Sequence, residues 1–282
     1  MINKAEPQDY INRYREVISD PINLLIDRVE AAGYVNSDNT IIMHNGNKVS
    51  FSGEFSYYDD YSNILVINRG VHEPLEEFCF QEVLKQIKQE SPIMIELGSY
   101  WAHYSMWFLQ KFPNGLAHMV EPDINNLNTG INNFKINGYS GNFINQGVAK
   151  SYFEVDKFLD ENKIDKVAIL HCDIQGNEID MLEDAQKSLM SHSIEYLFIS
   201  THGQDIHEEA INRLKKFGYR IEVSSDFDFH TTSWDGFILA TSPKINNVFN
   251  NLNPLGRTDI LKLSPEELLS SIVEYKQSIN NS

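Results

Sequence analysis

From Glu73 to about residue 242, apolar residues recur first at helical spacing and then in short unbroken runs, and the two patterns alternate. Phe80, Val83, Leu84 and Ile87 predict a helix, Ile93 to Leu97 a strand, and Tyr104, Phe108 and Phe112 the face of the next helix. Strand Leu116 to Val120, a helix through Asn126 to Ile136 and a weaker strand at Asn142 to Val148 follow. Strand Lys166 to Cys172 leads into a helix with Ile179, Leu182, Ala185 and Leu189 inward, and strand Ile194 to Ser200 into one carrying Ile206, Ala210, Leu214 and Phe217. Such alternation predicts an α/β domain whose mostly parallel sheet is covered by helices on both faces. The stretch between Tyr219–Val223 and Gly236–Ala240 has no helical period, and a parallel crossover needs a helix, so these two strands are expected to form a terminal antiparallel hairpin.

The flanks read differently. Asp20-Pro21 looks like an N-cap and first helical residue, with Ile22, Leu25, Ile26 and Val29 on one face of an amphipathic helix that stops at Gly33. Asn45-Gly46 predicts a turn between Ile41–Met43 and Val49–Phe51, and Ile64–Ile67 a further strand. Residues 1–72 are therefore expected to be a small α+β accessory region, 73–242 the main domain, and 243–282 a tail in which Ser264-Pro265-Glu266-Glu267 caps a helix to about Ile279.

Charge narrows the partners. The 282 residues carry 23 Lys and Arg against 40 Asp and Glu, a net charge of -17, which disfavours a nucleic-acid substrate. No apolar run is long enough to span a bilayer, and Met1-Ile2-Asn3-Lys4-Ala5-Glu6 lacks the look of a leader, so a soluble cytoplasmic protein is expected. Cys79 and Cys172 have no metal or redox spacing and read as buried free thiols.

In an open parallel sheet, ligands bind outside the C-terminal ends of the strands. The residues placed there are Glu96 and Gly98, Glu121 and Asp123, Gly147, His171 and Asp173, and Thr201-His202. The turn after Ile93–Leu97 keeps one glycine, Gly98, where a dinucleotide fingerprint wants three, and Glu121 ends the next strand, where an acid grips ribose hydroxyls. An adenosyl cofactor without a pyrophosphate, such as S-adenosylmethionine, suits that turn better than NAD. Asp173 directly follows an apolar strand and is read either as a functional carboxylate or as an N-cap for the helix near Asn177. His202 is read as a general base or as a capping histidine, and His171 as structural. A divalent metal held by Asp173, His202 and Glu178 or Asp235 is the less favoured alternative.

Four segments together resemble the FkbM-type S-adenosylmethionine-dependent methyltransferases. They are Glu96-Leu97-Gly98-Ser99-Tyr100-Trp101-Ala102-His103-Tyr104-Ser105, Val120-Glu121-Pro122-Asp123, His171-Cys172-Asp173-Ile174-Gln175-Gly176-Asn177-Glu178 and Ser200-Thr201-His202-Gly203. The resemblance covers about residues 71–242, to Trp234-Asp235-Gly236, and departs from the family pattern at Ala102, where glycine is common. It implies a class I methyltransferase (Rossmann-like) fold, with Glu96, Gly98 and Ser99 near the methionine moiety, Glu121 on the ribose and Asp173 between cofactor and acceptor. The expected cofactor site comprises Glu96, Gly98, Ser99, Tyr100, Glu121, Pro122, Gly147 and Asp173. The expected catalytic pair is His202 as base with Asp173 orienting it or hydrogen-bonding the acceptor, acting on a hydroxyl of a sugar, glycan or other small hydroxylated metabolite. The alternatives are a nucleotide-cofactor oxidoreductase, which the single glycine and terminal hairpin disfavour, and a non-catalytic binding module using Phe55–Tyr61 as a contact surface.

Overall fold

The computed structural model describes residues 7–57, 62–148, 152–227, 232–233 and 235–280. The chain begins with helix α1 (Pro7–Ser19), a 3-10 turn over Pro21–Leu25, a small antiparallel hairpin of β1 (Thr40–Ile42) and β2 (Lys48–Ser50), and helices α2 (Asn63–Ile67) and α3 (Pro74–Gln86). The expected alternation follows: β3 (Ile93–Leu97), α4 (His103–Lys111), β4 (Leu116–Val120), α5 (Ile124–Asn137), β5 (Asn142–Ile144), α6 (Val155–Asn162) and β6 (Val167–Cys172). Helices α7 (Glu178–Asp184) and α8 (Gln186–Met190), β7 (Ile194–Thr201), α9 (Gln204–Lys216), β8 (Arg220–Ser225) and β9 (Gly236–Thr241) complete the domain, and α10 (Arg257–Ile260) and α11 (Pro265–Ser278) form the tail.

The main sheet has the order β5-β4-β3-β6-β7-β9-β8. Strands β3 to β7 are parallel, whereas β9 runs antiparallel to both β7 and β8. This is the Rossmann-like class I methyltransferase arrangement, with the terminal hairpin that the missing crossover helix predicts. Every residue of β6 and β7 is buried, the signature of central strands covered on both faces. The edge strand β5 is short and half-open, which is why its sequence signal is weak.

One apolar cluster, on one side of the sheet, joins Val17, Ile22, Ile41, Met43 and Leu65 to Phe78, Phe80, Phe108 and Phe198. Each such large side chain contributes roughly 1.5–3 kcal/mol on burial, so Val17, Ile22, Ile41, Met43 and Leu65 share a core with α3 and α4. The other face packs Ile95, Leu97, Leu170, Leu182 and Ile199.

Two amino-terminal expectations are corrected. Asp20 does cap, accepting the Ile22 amide at 2.9 Å, yet the chain leaves helical geometry at Ile26 instead of continuing to Gly33. The Asp27 amide donates to Gln81 Oε1 at 2.7 Å and Arg28 donates to the Asn23 carbonyl at 2.6 Å, so tertiary partners take the groups a longer helix would pair. Ile64–Ile67 is helical, not a strand, with Ile64 and Leu65 buried and Ile67 exposed. A four-residue apolar run has no period that separates the two forms, and burial against α3 and the hairpin decides it. The capping box at Ser264 is present, and both cysteines are buried and unbonded.

Candidate active site

The sheet order reverses between β3 and β6, because β4 and β5 extend to one side of β3 and β7 to the other side of β6. A crevice therefore opens outside the C-terminal ends of these two strands. Gly98 lines it, with φ +74°, and a Cβ there would lie 1.6 Å from the Asp173 carbonyl oxygen. The Asp173 amide also donates to the Leu97 carbonyl at 2.9 Å. The glycine is thus required by the exit turn of the neighbouring strand as well as by the shape of the crevice.

The turn that follows holds Tyr100 (φ 40°) and Ala102 (φ 59°) in the left-handed region, at a cost of about 1 kcal/mol or more each. Ala102 therefore occupies a conformation natural to glycine, in keeping with the family pattern from which it departs. Glu121 clasps the turn: its Oε2 accepts the Tyr100 amide at 3.1 Å and its Oε1 accepts the Asp123 amide at 2.9 Å. Burial raises its pKa, while these hydrogen bonds favour the carboxylate.

A cavity of about 550 Å³ lies against this turn. Of the expected cofactor residues, Gly98, Tyr100, Glu121, Pro122, Gly147 and Asp173 line it. Glu96 and Ser99 do not. Glu96 lies beneath the turn, where its Oε2 accepts the Ser105 amide at 3.1 Å and burial pushes its pKa up to about 7. Ser99 is buried with its hydroxyl unpartnered among the described residues. Asn126, Val148, Tyr152, Ile174, Gln175 and Asn177 complete the lining. Asn126 lies in the first turn of α5 and Ile174 to Asn177 follow Asp173, so their places were readable from strand ends; Tyr152 follows no strand and had no signal.

Beside the cavity, three loops converge on His202. It follows β7, Glu178 opens α7, and Asp235 immediately precedes β9. Because β9 is antiparallel, with Gly236 opposite Thr201, its first residue arrives at the edge where the parallel strands end. Fully buried Glu178 meets His202 Nδ1 at 2.7 Å, and Nε2 lies 3.3 Å from Asp173 Oδ1 and 3.4 Å from Asp235 Oδ1. Burial opposes the charge on His202, but hydrogen bonds to Asp173 and Glu178 and the charge of Asp235 outweigh it, and its pKa rises to about 10. The Gln175 amide lies 2.8 Å from Nε2 and can offer its oxygen to the charged ring or its NH2 to the neutral one. Burial and the nearby charge of Asp173 raise Asp235 to about 7.

Asp173 is not a helix cap: α7 starts at Glu178 behind Asn177, and Asp173 instead faces His202. His171 pairs with buried Glu76 at 2.5 Å, and Glu76 also accepts the Ser200 hydroxyl at 3.1 Å, a strut between α3 and the sheet. Tyr57 is buried and stacks on Trp101 at 4.5 Å, so this part of the Phe55–Tyr61 stretch packs inward. Residues 58–61 of that aromatic stretch, and Trp234, lie outside the described residues.

Residues 148–221 match the model of the methyltransferase FkbM domain, which bears out the resemblance drawn from the motifs. No curated protein sequence matches this one significantly. Among solved structures, the chain is similar to the METTL16 MTase domain, with a TM-score of 0.48 and 13% identity over 73% of this chain and 86% of that one. It is also similar to M. capricolum TrmK in complex with S-adenosyl-homocysteine, at 0.41 and 16% over 72% and 98%. A third is the Precorrin-6y C5,15-methyltransferase from Geobacter metallireducens GS-15, at 0.43 and 13% over 59% and 89%. The fold and the FkbM segment support methyltransferase activity dependent on S-adenosylmethionine. No helix among the described residues is long and apolar enough to cross a membrane.

Proposed function

We propose that this protein transfers a methyl group from S-adenosylmethionine to a hydroxyl of a sugar, glycan or other small hydroxylated metabolite. The observation that supports it best is the assembly of His202, Glu178, Asp173 and Asp235 beside a cavity that also presents Gly98, Tyr100 and Glu121. The cavity is of a size suited to a small cofactor, and Glu121 keeps lone pairs for ribose hydroxyls beyond the two amides it already accepts. When bound, S-adenosylmethionine supplies an electrophilic methyl on a sulfonium.

The protein then has to align an acceptor oxygen, exclude water and remove one proton. A histidine with a pKa near 10 is already charged at neutral pH, which makes it a poor base and a good donor. His202, oriented through Nδ1 by Glu178, therefore stabilises the acceptor oxygen as negative charge builds on it. Asp235, with a pKa near 7, takes the proton, and Asp173 holds the ring from the cavity side. The roles expected of His202 and Asp173 thus shift by one residue, the base becoming a carboxylate.

Calorimetry with S-adenosylmethionine and NADH, followed by methyl transfer to a panel of glycans and nucleotide sugars, tests this reading. Binding of the methyl donor but not NADH is expected, with a methyl ether as product. His202→Ala should keep donor affinity and lose roughly 10²–10⁴-fold in turnover. Failure to bind the methyl donor, or undiminished turnover in that variant, would sink the proposal.

A further inference from the structure

A second group of histidines and carboxylates lies away from the cavity, sealed between the amino-terminal hairpin and helices α3 and α4. His44 lies in the turn between β1 and β2, Glu77 lies in the first turn of α3, and His103 is the first residue of α4. All three are fully or almost fully buried. One donor atom from each lies within 4.8 Å of the others. A four-coordinate ion with bonds of about 2.0–2.1 Å sets its ligands roughly 3.4 Å apart, so this convergence needs only small adjustment.

Three details separate the group from an ordinary buried hydrogen-bond network. His103 is 1% exposed, and neither of its ring nitrogens meets a hydrogen-bond partner among the described residues. Burying both nitrogens of an imidazole unpaired is costly, and few native sites tolerate it without a partner. His44 Nε2 and Glu77 Oε2 approach to 2.9 Å as an ion-pair contact, which brings an imidazole nitrogen and a carboxylate oxygen to the same point as His103. The other nitrogen of His44 lies 3.3 Å from the Asp27 carbonyl, the contact by which a ligating histidine is oriented.

From this geometry we infer that His44, Glu77 and His103 form a structural site for a divalent cation of the zinc class. Two imidazoles and one carboxylate suit zinc, whereas magnesium and calcium prefer all-oxygen sets. The remaining carboxylate oxygen, Glu77 Oε1, is held by the His72 and Glu73 amides at 2.8 and 3.1 Å, which fixes the carboxylate plane. A cavity of about 340 Å³, lined in part by Asp27, His44, Gln81, Lys85, Trp107 and Gln110, offers a route for the ion. Since the ligands come from both sides of residue 72, the ion would fasten the amino-terminal region to the methyltransferase core, and its binding would add to folding stability.

The test uses the full chain, stripped with a chelator and titrated with Co²⁺ under visible absorption and with Zn²⁺ under elemental analysis and thermal unfolding. One equivalent of either ion, ligand-field bands from Co²⁺ and a higher Tm with Zn²⁺ are expected. His103→Phe keeps the packing on Trp101 and should weaken Co²⁺ binding more than about 100-fold while retaining a cooperative unfolding transition. His44→Gln carries the same expectation if His103→Phe does not fold. A folded wild-type chain that takes up no stoichiometric Zn²⁺ or Co²⁺, or a folded variant that takes up as much as wild type, would overturn the assignment.

Discussion

Two histidine–carboxylate assemblies are built from similar side chains and differ in how they meet solvent. Around His202 the carboxylates Asp173 and Asp235 stay partly open beside the cavity, and Asp235 has its pKa near 7. Around Glu77, itself fully buried, His44 and His72 are sealed as well. There burial penalises every charge, but Glu73 and Glu77 together lift His72 to about 10, and His72 and Arg13 hold Glu73 down to about 2. His72 and Glu73 therefore keep their charges across neutrality, whereas Asp235 changes its own. Permanence suits a fastening and a neutral pKa suits proton transfer, so position relative to the sheet edge, not residue type, separates the two.

The comparison breaks most forcefully at Glu77. Glu77→Gln leaves charged His72 buried without its 2.6 Å partner and should cost roughly 3–5 kcal/mol in urea denaturation, with turnover per folded molecule unchanged. The folded pKa of His72 lies above its unfolded value of 6.5, so the stability it contributes is complete below that pH and disappears as pH rises through about 10. The gap between wild type and variant should close over that window. An undiminished stability in Glu77→Gln at neutral pH would remove the distinction.

At the open site the signs of stability and activity part. Asp235→Asn should lose about 10²-fold or more in turnover and, with it, the rise in wild-type turnover as Asp235 ionises through about pH 7. The folded pKa of Asp235 exceeds its unfolded value of 3.8, so ionising it destabilises the fold, and the stability its protonated form contributes below 3.8 is lost as pH rises through about 7. The variant is therefore expected to be more stable than wild type at pH 8, with an advantage that shrinks towards acid. A pH–rate profile and denaturation at two pH values check both signs.

The smallest expected effect lies at Ala102, in the turn between the cavity-lining Tyr100 and His103. Ala102→Gly relieves a left-handed alanine between Tyr100, which lines the cavity, and His103. The loss of one buried methyl offsets part of that relief, leaving a net gain below about 1 kcal/mol and little change in donor affinity. Thermal unfolding and calorimetry measure it.

Much of the frame was readable from local pattern. Strands β3, β4, β6 and β7 are unbroken apolar runs, and the terminal hairpin followed from the absence of a crossover helix. Gly98, Glu121, Asp173 and His202 were readable because each ends a strand, and strand ends share one edge. The Pro21–Leu25 turn has the periodicity of a longer helix, but Gln81 and the Arg28 side chain take the backbone groups that would continue it.

Periodicity, turn chemistry and charge thus specify the order of elements from Glu73 to about residue 242 and the polar strand ends, since each acts over a few neighbouring residues. Only tertiary structure could bring Asp235 to His202, because that depends on β9 running antiparallel beside β7. Tertiary structure alone also joins His44, Glu77 and His103, which lie on separate elements and meet through a shared core. Side-chain pairing over such distances follows from how layers pack, and no local spacing in the chain encodes it.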